Sequence, residues 1–210
     1  TVDILLAGKP KIVILEEMWL DVRLALIGHK GVRPRVLYSH FAPMEHCMGW
    51  IRKNLSGVEK RVMSSTAAAA GRALAEMDAV VLGSRRLAKL YNLDVLCYPV
   101  KTDLPNQTSF LLISGRGRAV NATKTTLSVK LLNEPGSLCS FLDVFRSRDL
   151  NLTRLVSRPI RGCPGQYTFL IDIDGGVKKK GLKPSINEVR SKCPSVRLVG
   201  SYPVRKPYKS

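Results

Sequence analysis

Three short polar clusters carry the residue types that could act on a small molecule. Ser64-Ser65-Thr66 stands just before an alanine-rich run. Hydroxyls at a helix start lie among backbone N–H groups that favour an anion, and the same residues can serve as a plain N-cap. In Asn106-Gln107-Thr108-Ser109-Phe110 the side chain of interest is Thr108. A threonine hydroxyl is far too weak an acid to be a free proton source at neutral pH. Its chemistry would be a positioned hydrogen bond that strengthens as a leaving group gains charge. A loop hydroxyl capping a strand accounts for the same residue without chemistry. The third cluster, Asn133-Glu134-Pro135-Gly136-Ser137-Leu138, is a turn. Proline fixes φ, glycine tolerates φ > 0 and lets backbone approach a ligand, and Asn133 could receive an ammonium group. A tight turn beside a packing face is the other account.

Other chemistries find little support. His40 and His46 have no partnering serine or cysteine at readable spacing, which favours packed or surface imidazoles. Cys47, Cys97, Cys139, Cys163 and Cys193 are odd in number, widely separated and without a Cys-x-x-Cys pair. Reduced thiols are expected, with neither a disulfide framework nor a metal site. The 210 residues show no signal-peptide pattern and no apolar run of about 18 residues, so nothing in them marks a membrane or export role. Lys+Arg number 34 against 16 Asp+Glu, giving +18, which steers anionic partners. The charge is spread along the chain, with clusters at Lys178-Lys179-Lys180 and Arg205-Lys206 and no aromatic-rich basic repeat of the kind that stacks bases. Nucleic acid is therefore not the expected partner; a small di-acid, or a merely solvated basic surface, fits the charge.

The elements that must position these clusters follow from periodicity. With 210 residues, 45% of them apolar, the chain can bury a sizeable core in one or two domains. From residue 125, Leu127, Val129 and Leu131 alternate with Ser128 and Lys130 as in a half-buried strand. Leu138, Phe141, Leu142 and Phe145 give one apolar helix face, with Ser137 as its N-cap and Arg146 and Arg148 near its C-terminal end. Asn151 to Pro159 and Tyr167 to Ile173 predict two strands joined by a turn at Gly162-Cys163-Pro164-Gly165. Lys183 to Lys192 predicts a second helix and Val196 to Tyr202 a last strand. The order is βαββαβ, a small sheet with two helices on one face.

Upstream, the chain opens with the apolar run Thr1 to Leu6, then Gly8-Lys9-Pro10 and a second apolar stretch from Lys11 to Leu15. Met18 to Ile27 predicts one strand, Val36 to Ser39 another, Met44 to Leu55 a helix and Lys60 to Ser64 a strand edge. Ala67 to Met77 predicts a helix, Ala79 to Gly83 a buried strand, Arg85 to Tyr91 a helix and Leu93 to Val100 a strand. This alternation predicts a mostly parallel sheet with helices on its faces and a ligand at the strand carboxyl ends.

Two resemblances attach to these residues. The turn from Asn133 to Leu138, the run Asn151-Leu152-Thr153 and the tetrad Val156-Ser157-Arg158-Pro159 resemble the ACT amino-acid-sensing domain attached to prephenate dehydratases, where the turn reads roughly NEPGAL and the tetrad ESRP. Tyr38-Ser39-His40, Ser64-Ser65-Thr66-Ala67, Gly83-Ser84, Leu90-Tyr91-Asn92-Leu93 and Asn106-Gln107-Thr108-Ser109-Phe110 resemble, in order and interval, the prephenate dehydratase catalytic domain. Residues 16 to 102 look like its second lobe and 106 to 114 like the strand returning to the first.

The resemblance implies an α/β protein: a periplasmic-binding-protein-like three-layer lobe in a partial catalytic domain over 1–115, a linker at 116–124, and a ferredoxin-like βαββαβ ACT domain over 125–204. It implies conversion of prephenate to phenylpyruvate with loss of water and carbon dioxide, or the related reaction of arogenate. No cofactor or metal is implied. Feedback by L-phenylalanine, a homo-oligomer formed through the ACT domain and a cytoplasmic or plastid location are. Carried over residue by residue, Thr108 is catalytic, and Ser65, Thr66, Asn106, Ser109 and Phe110 contact substrate. Asn133, Gly136, Ser137, Leu138, Ser157, Arg158 and Pro159 hold phenylalanine, with Leu138 and Cys139 as an apolar wall.

Two positions depart from the pattern: the family has arginine where Ser109 stands and glutamate where Val156 stands. Arg85, Arg86 or Lys101 could supply the missing cation. Otherwise the chain is a non-catalytic relative that senses an aromatic amino acid. The resemblance also implies a start near the junction of two lobes with most of the first lobe absent, and a first residue Thr1 in place of methionine fits a cut chain or a fragment.

Overall fold

The computed structural model describes residues 2–7, 12–160 and 162–209. The turn expected at Gly8-Lys9-Pro10, and Lys11, lie outside them. The chain forms two compact units, one of residues 1–18 with 109–206 and one of 19–108 with 207–210. Two paired strands, β1 (Val13–Asp21) and β7 (Gln107–Ser114), carry the chain from one unit to the other.

The unit spanning 19–108 is built on a five-stranded sheet. Its strands β2 (Leu24–Gly28), β3 (Val36–Ser39), β4 (Glu59–Val62), β5 (Ala79–Ser84) and β6 (Asp94–Val100) lie in the order β4-β3-β5-β2-β6. β3 runs parallel to β4 and to β5, while β2 runs antiparallel to both β5 and β6. The sheet is therefore mixed, where the alternation of elements predicts a mostly parallel one. Parallel neighbours need a crossover; the helical connections supply it among the other strands, and β2 fills the slot between β5 and β6 in the opposite sense.

The single strand expected over Met18 to Ile27 is likewise two. It breaks at Val22-Arg23, where the Val22 N–H donates to the Asn106 carbonyl at 2.7 Å. Every residue of β2 is buried, so alternation of polarity says nothing about its faces.

Alternate β2 side chains feed two cores. Leu24 and Leu26 pack with Leu37, Leu82 and the apolar face of α2 (Phe41–His46) and α3 (Met48–Asn54), two short helices that replace the one expected over Met44 to Leu55. Ala25 and Ile27 pack with Tyr38, Val81 and the alanines Ala69, Ala70 and Ala73 of α4 (Thr66–Ala75) and Ala88 of α5 (Arg86–Tyr91). Helices on both faces of one sheet make three layers.

In the unit containing 109–206, β8 (Lys124–Lys130), β9 (Leu152–Pro159), β10 (Tyr167–Asp174) and β11 (Ser195–Tyr202) form the antiparallel part, in the order β11-β8-β10-β9, of a seven-stranded sheet in which β1 runs parallel to β11. Helices α6 (Ser137–Arg146) and α7 (Leu182–Lys192) cover one face, burying Phe141, Phe145, Ile186 and Val189 against Leu127, Val129, Ile171 and Ile173. This is the ferredoxin-like βαββαβ arrangement. The second face is covered too: α1 (Val2–Ala7) sets Leu5 into a cluster with Ile14, Leu170, Val199 and Tyr202. Thr125 to Val129 of β8 are consequently buried throughout, where a half-buried strand is the sequence expectation. Ser137 is not the N-cap of α6. Gly136 takes that position at φ 81°, a left-handed conformation that favours glycine, and Ser137 becomes the first helical residue.

Candidate functional site

The carboxyl ends of β3, β4 and β5 form one end of the 19–108 unit, and the polar clusters of that unit collect there. α4 begins just past β4, with Ser65 as its N-cap: the side-chain oxygen accepts the Ala68 N–H at 3.1 Å. Thr66, the next residue, packs against the end of β5, where a Cβ added to Gly83 would lie 2.8 Å from its Cγ2. Only glycine permits that approach.

β2 starts opposite the end of β5, with Leu24 paired to Ser84, and β6 finishes there, with Val100 paired to Leu24. The segment carrying Asn106 and Thr108 is tied to the same end. Val22 holds the Asn106 carbonyl, and the Gln107 Nε2 donates to Asp21 Oδ1 at 2.7 Å. Thr108 is exposed, and its hydroxyl makes no hydrogen bond among the described residues. Ser65, Thr66, Asn106 and Thr108 thus share one end of one unit. His40, also at this end, caps α2 by accepting the Ala42 N–H on Nδ1 at 3.5 Å, a structural use of the imidazole.

Ser109 and Phe110 belong to the other unit. Phe110 is exposed on β7, together with Leu112 and Ile113. Ser109 is engaged internally: its hydroxyl donates to Glu17 Oε1 at 2.8 Å, and Glu17 Oε2 takes the Lys124 ammonium at 2.5 Å. Glu17 is only 2% exposed. Beside it, Thr126 donates to Asp172 Oδ1 at 2.6 Å and meets the Tyr202 hydroxyl at 2.6 Å. Burial pushes the Asp172 carboxyl above its ordinary range, against the Thr126 hydrogen bond and the charges of Lys124 and Arg154; burial likewise pushes the Tyr202 phenol up. Sequence reasoning misses this network. Its one signal is the pair Glu16-Glu17 inside an otherwise apolar run, where one of two adjacent carboxylates on a strand must face inward.

The residues expected to hold an amino acid are spread more widely. Gly136 and Ser137 line a groove of about 220 Å³ between the turn and the two helices. Its apolar wall is Phe141, Val144 and Val189; Leu138 and Cys139, expected there, do not line it. Asn133 lies at the Gly165 turn, its Nδ2 3.1 Å from where a Cβ on that glycine would sit. Ser157, Arg158 and Pro159 end the edge strand β9, paired with Phe169, Thr168 and Tyr167. Ser157 shares the helix-covered face with Phe169, while Arg158 is on the opposite face with Val156, its guanidinium 3.5 Å from Asp3 of α1. The structure therefore brings Gly136 and Ser137 together and turns Arg158 elsewhere. Among the described residues no His, Cys, Asp and Glu group is arranged to hold a metal ion, and no helix is long and apolar enough to cross a membrane.

Residues 1–118 match the family model for prephenate dehydratase. The chain is 32% identical over 210 residues to the prephenate dehydratase of Mycolicibacterium smegmatis, covering 97% of this chain and 67% of that one. The structure of a prephenate dehydratase from Arthrobacter aurescens in complex with L-Phe is similar with a TM-score of 0.83 and 29% identity, covering 97% of this chain and 69% of that one. A solved chain described as a novel type of quorum quenching acylase is similar with a TM-score of 0.84 and 25% identity, covering 98% and 76%. The chain spans about half the length of bifunctional chorismate mutase/prephenate dehydratases it matches, 56% for that of Aquifex aeolicus and 46% for that of Pseudomonas aeruginosa.

Proposed function

Because the chain belongs to the prephenate dehydratase family, we propose that it serves the conversion of prephenate to phenylpyruvate under feedback by L-phenylalanine. In this reading 1–115 is part of the catalytic domain, 116–124 a linker and 125–204 an ACT regulatory domain through which copies associate, in the cytoplasm. Arogenate is the alternative substrate. The observation that carries the reading is the gathering of Ser65, Thr66, Asn106 and Thr108 at the carboxyl ends of parallel strands, where α/β sheets bind ligands.

The reaction breaks the bond from a ring carbon to its carboxylate, and that electron pair makes the ring aromatic as the ring hydroxyl departs with a proton. The protein must hold two carboxylates and ease the loss of hydroxide. Thr108, with no hydrogen-bond partner among the described residues, is available to donate to the departing oxygen as charge builds on it. The start of α4, a helix of 10 residues, offers N–H groups beside Thr66 for a carboxylate. Asn106 acts through its backbone, which anchors the Thr108 segment to Val22. The effector would lie in the groove at Gly136 and Ser137.

The test is phenylpyruvate formation by this chain, with and without L-phenylalanine. Thr108→Ala is expected to lower kcat by about 100- to 1000-fold, as for loss of one transition-state donor. A second reading, a sensor without catalysis, is supported by the commitment of Ser109 to Glu17 and by Val156 in the apolar cluster under α1. It is favoured if prephenate is not turned over while L-phenylalanine still raises the melting temperature.

A further inference from the structure

A cavity of about 520 Å³ in the 19–108 unit is lined by Arg23, Ser84, Arg85, Arg86, Lys89 and Tyr98, with no carboxylate on its wall. Of its lining, Ser84 and Arg23 stand at the end of the sheet where Ser65, Thr66 and Asn106 lie, and the rest comes from α5 and β6. Its apolar lining is buried Ala88, the exposed side chain of Val95 and the half-buried ring of Tyr98. The Arg85 guanidinium sits over that ring, 4.6 Å from its centroid. Neither Arg85 nor Arg86 forms an ion pair among the described residues.

We propose that this cavity is a carboxylate subsite, with Arg85 and Arg86 taking an acid group of the substrate. Four considerations converge on it. A guanidinium presents a planar pair of donors matched to the two oxygens of a carboxylate, which an ammonium does not. Stacking on Tyr98 fixes the plane of that fork before any ligand arrives. The apolar lining takes water from part of the wall beside the charges, so they act in a medium somewhat less screened than a flat surface. Ser109, the neighbour of Thr108, cannot supply charge and is already bonded to Glu17; the substrate carboxylates must find their cation elsewhere, and this cavity offers arginines with no carboxylate on its wall. The substrate assignment rests on the reading proposed above; the anion-binding assignment rests on the cavity.

The experiment titrates the whole chain calorimetrically with three probes, prephenate, phthalate as an aromatic dicarboxylate, and inorganic phosphate, in wild type and in Arg85→Ala, Arg86→Ala and Arg85→Lys. Both dicarboxylates are expected to bind, more weakly as salt is raised. Each alanine variant should lose about 10- to 100-fold in affinity, as when a hydrogen-bonded charge is removed, and Arg85→Lys, which keeps charge without the fork, should fall between. Where turnover is measured, KM should rise with kcat largely kept. Binding lost in the variants of a chain that never turns prephenate over would leave the subsite standing and remove the catalytic reading. Turnover with KM unchanged in both alanine variants overturns the subsite and leaves the catalytic reading intact. No binding of either dicarboxylate overturns it as well. Phosphate binding as tightly as the dicarboxylates, and lost in the same variants, overturns the carboxylate assignment in favour of a general anion site. Unchanged melting temperatures in the variants confirm that the exposed arginines were removed without unfolding the chain.

Discussion

The resemblance assigns both Ser65 and Ser109 to the substrate, and the two units use them differently. Ser65 caps a helix at the strand end, exposed, its oxygen accepting one N–H of its own helix. Ser109 donates to a carboxylate that solvent barely reaches, itself locked to Lys124, whose side chain is 14% exposed. The difference lies in what covers the sheet. At the strand ends of the 19–108 unit the Ser65 oxygen is satisfied locally by its own helix, whereas α1 helps cover the second face of the other unit's sheet, so the buried Glu17 carboxylate there is paired by Ser109 and Lys124.

Removing one half of the buried pair should break this contrast most sharply. Glu17→Ala leaves the Lys124 ammonium enclosed without its partner, and breaking a buried pair from one side typically costs about 3–5 kcal/mol. Chemical denaturation should read a loss of that order. Replacing both charges together, Glu17→Leu with Lys124→Met, should recover most of it, because the desolvation cost disappears with the pair. A single variant as stable as the parent would mean that water reaches Lys124 and that the network is not closed.

The fate of Ser109 shows where sequence reading ends. Helix faces and strand order of the 125–204 region are legible because Phe141, Phe145, Ile186 and Val189 recur at helical spacing and the turns are marked by Pro135-Gly136 and Cys193-Pro194. The alanines of α4 likewise announce a helix that approaches its sheet closely. The antiparallel insertion of β2 is not legible, since pairing partners are contributed by strands many residues later. Nor is the break at Val22, which depends on the Asn106 carbonyl more than eighty positions on. Among the site residues, the Ser65 cap follows from local chemistry alone. The engagement of Ser109 does not, because it requires knowing that β1 and β7 pair and which of Glu16 and Glu17 faces inward.

Gly136 tests the open side of the comparison within the second unit. Nothing lies within 4 Å of a Cβ added there, so Gly136→Ala meets no clash and its cost is backbone conformation alone. At φ 81° that is about 1–2 kcal/mol. A melting temperature lowered by a few degrees with the fold intact is the expected result. A much larger loss would show that the turn is packed and not an open rim of the groove.

The smallest effect sharpens the buried side. Asp172 is 3% exposed, and burial holds its carboxyl above the ordinary carboxylate range. The folded chain therefore binds this proton more readily than the unfolded one. From about pH 4, the ordinary carboxylate range, up to the raised value, ionising Asp172 costs stability, and above the raised value the full cost is present. Asp172→Asn keeps an oxygen to accept from Thr126 but cannot ionise. Relative to the parent, the variant should gain stability as pH rises through that window and then hold its advantage. Melting temperatures of both chains from about pH 4 to 8 measure the gap directly. A gap that stays constant, or that closes as pH rises, would mean that Lys124 and Arg154 together outweigh burial, making the network a net stabiliser of the charged carboxylate.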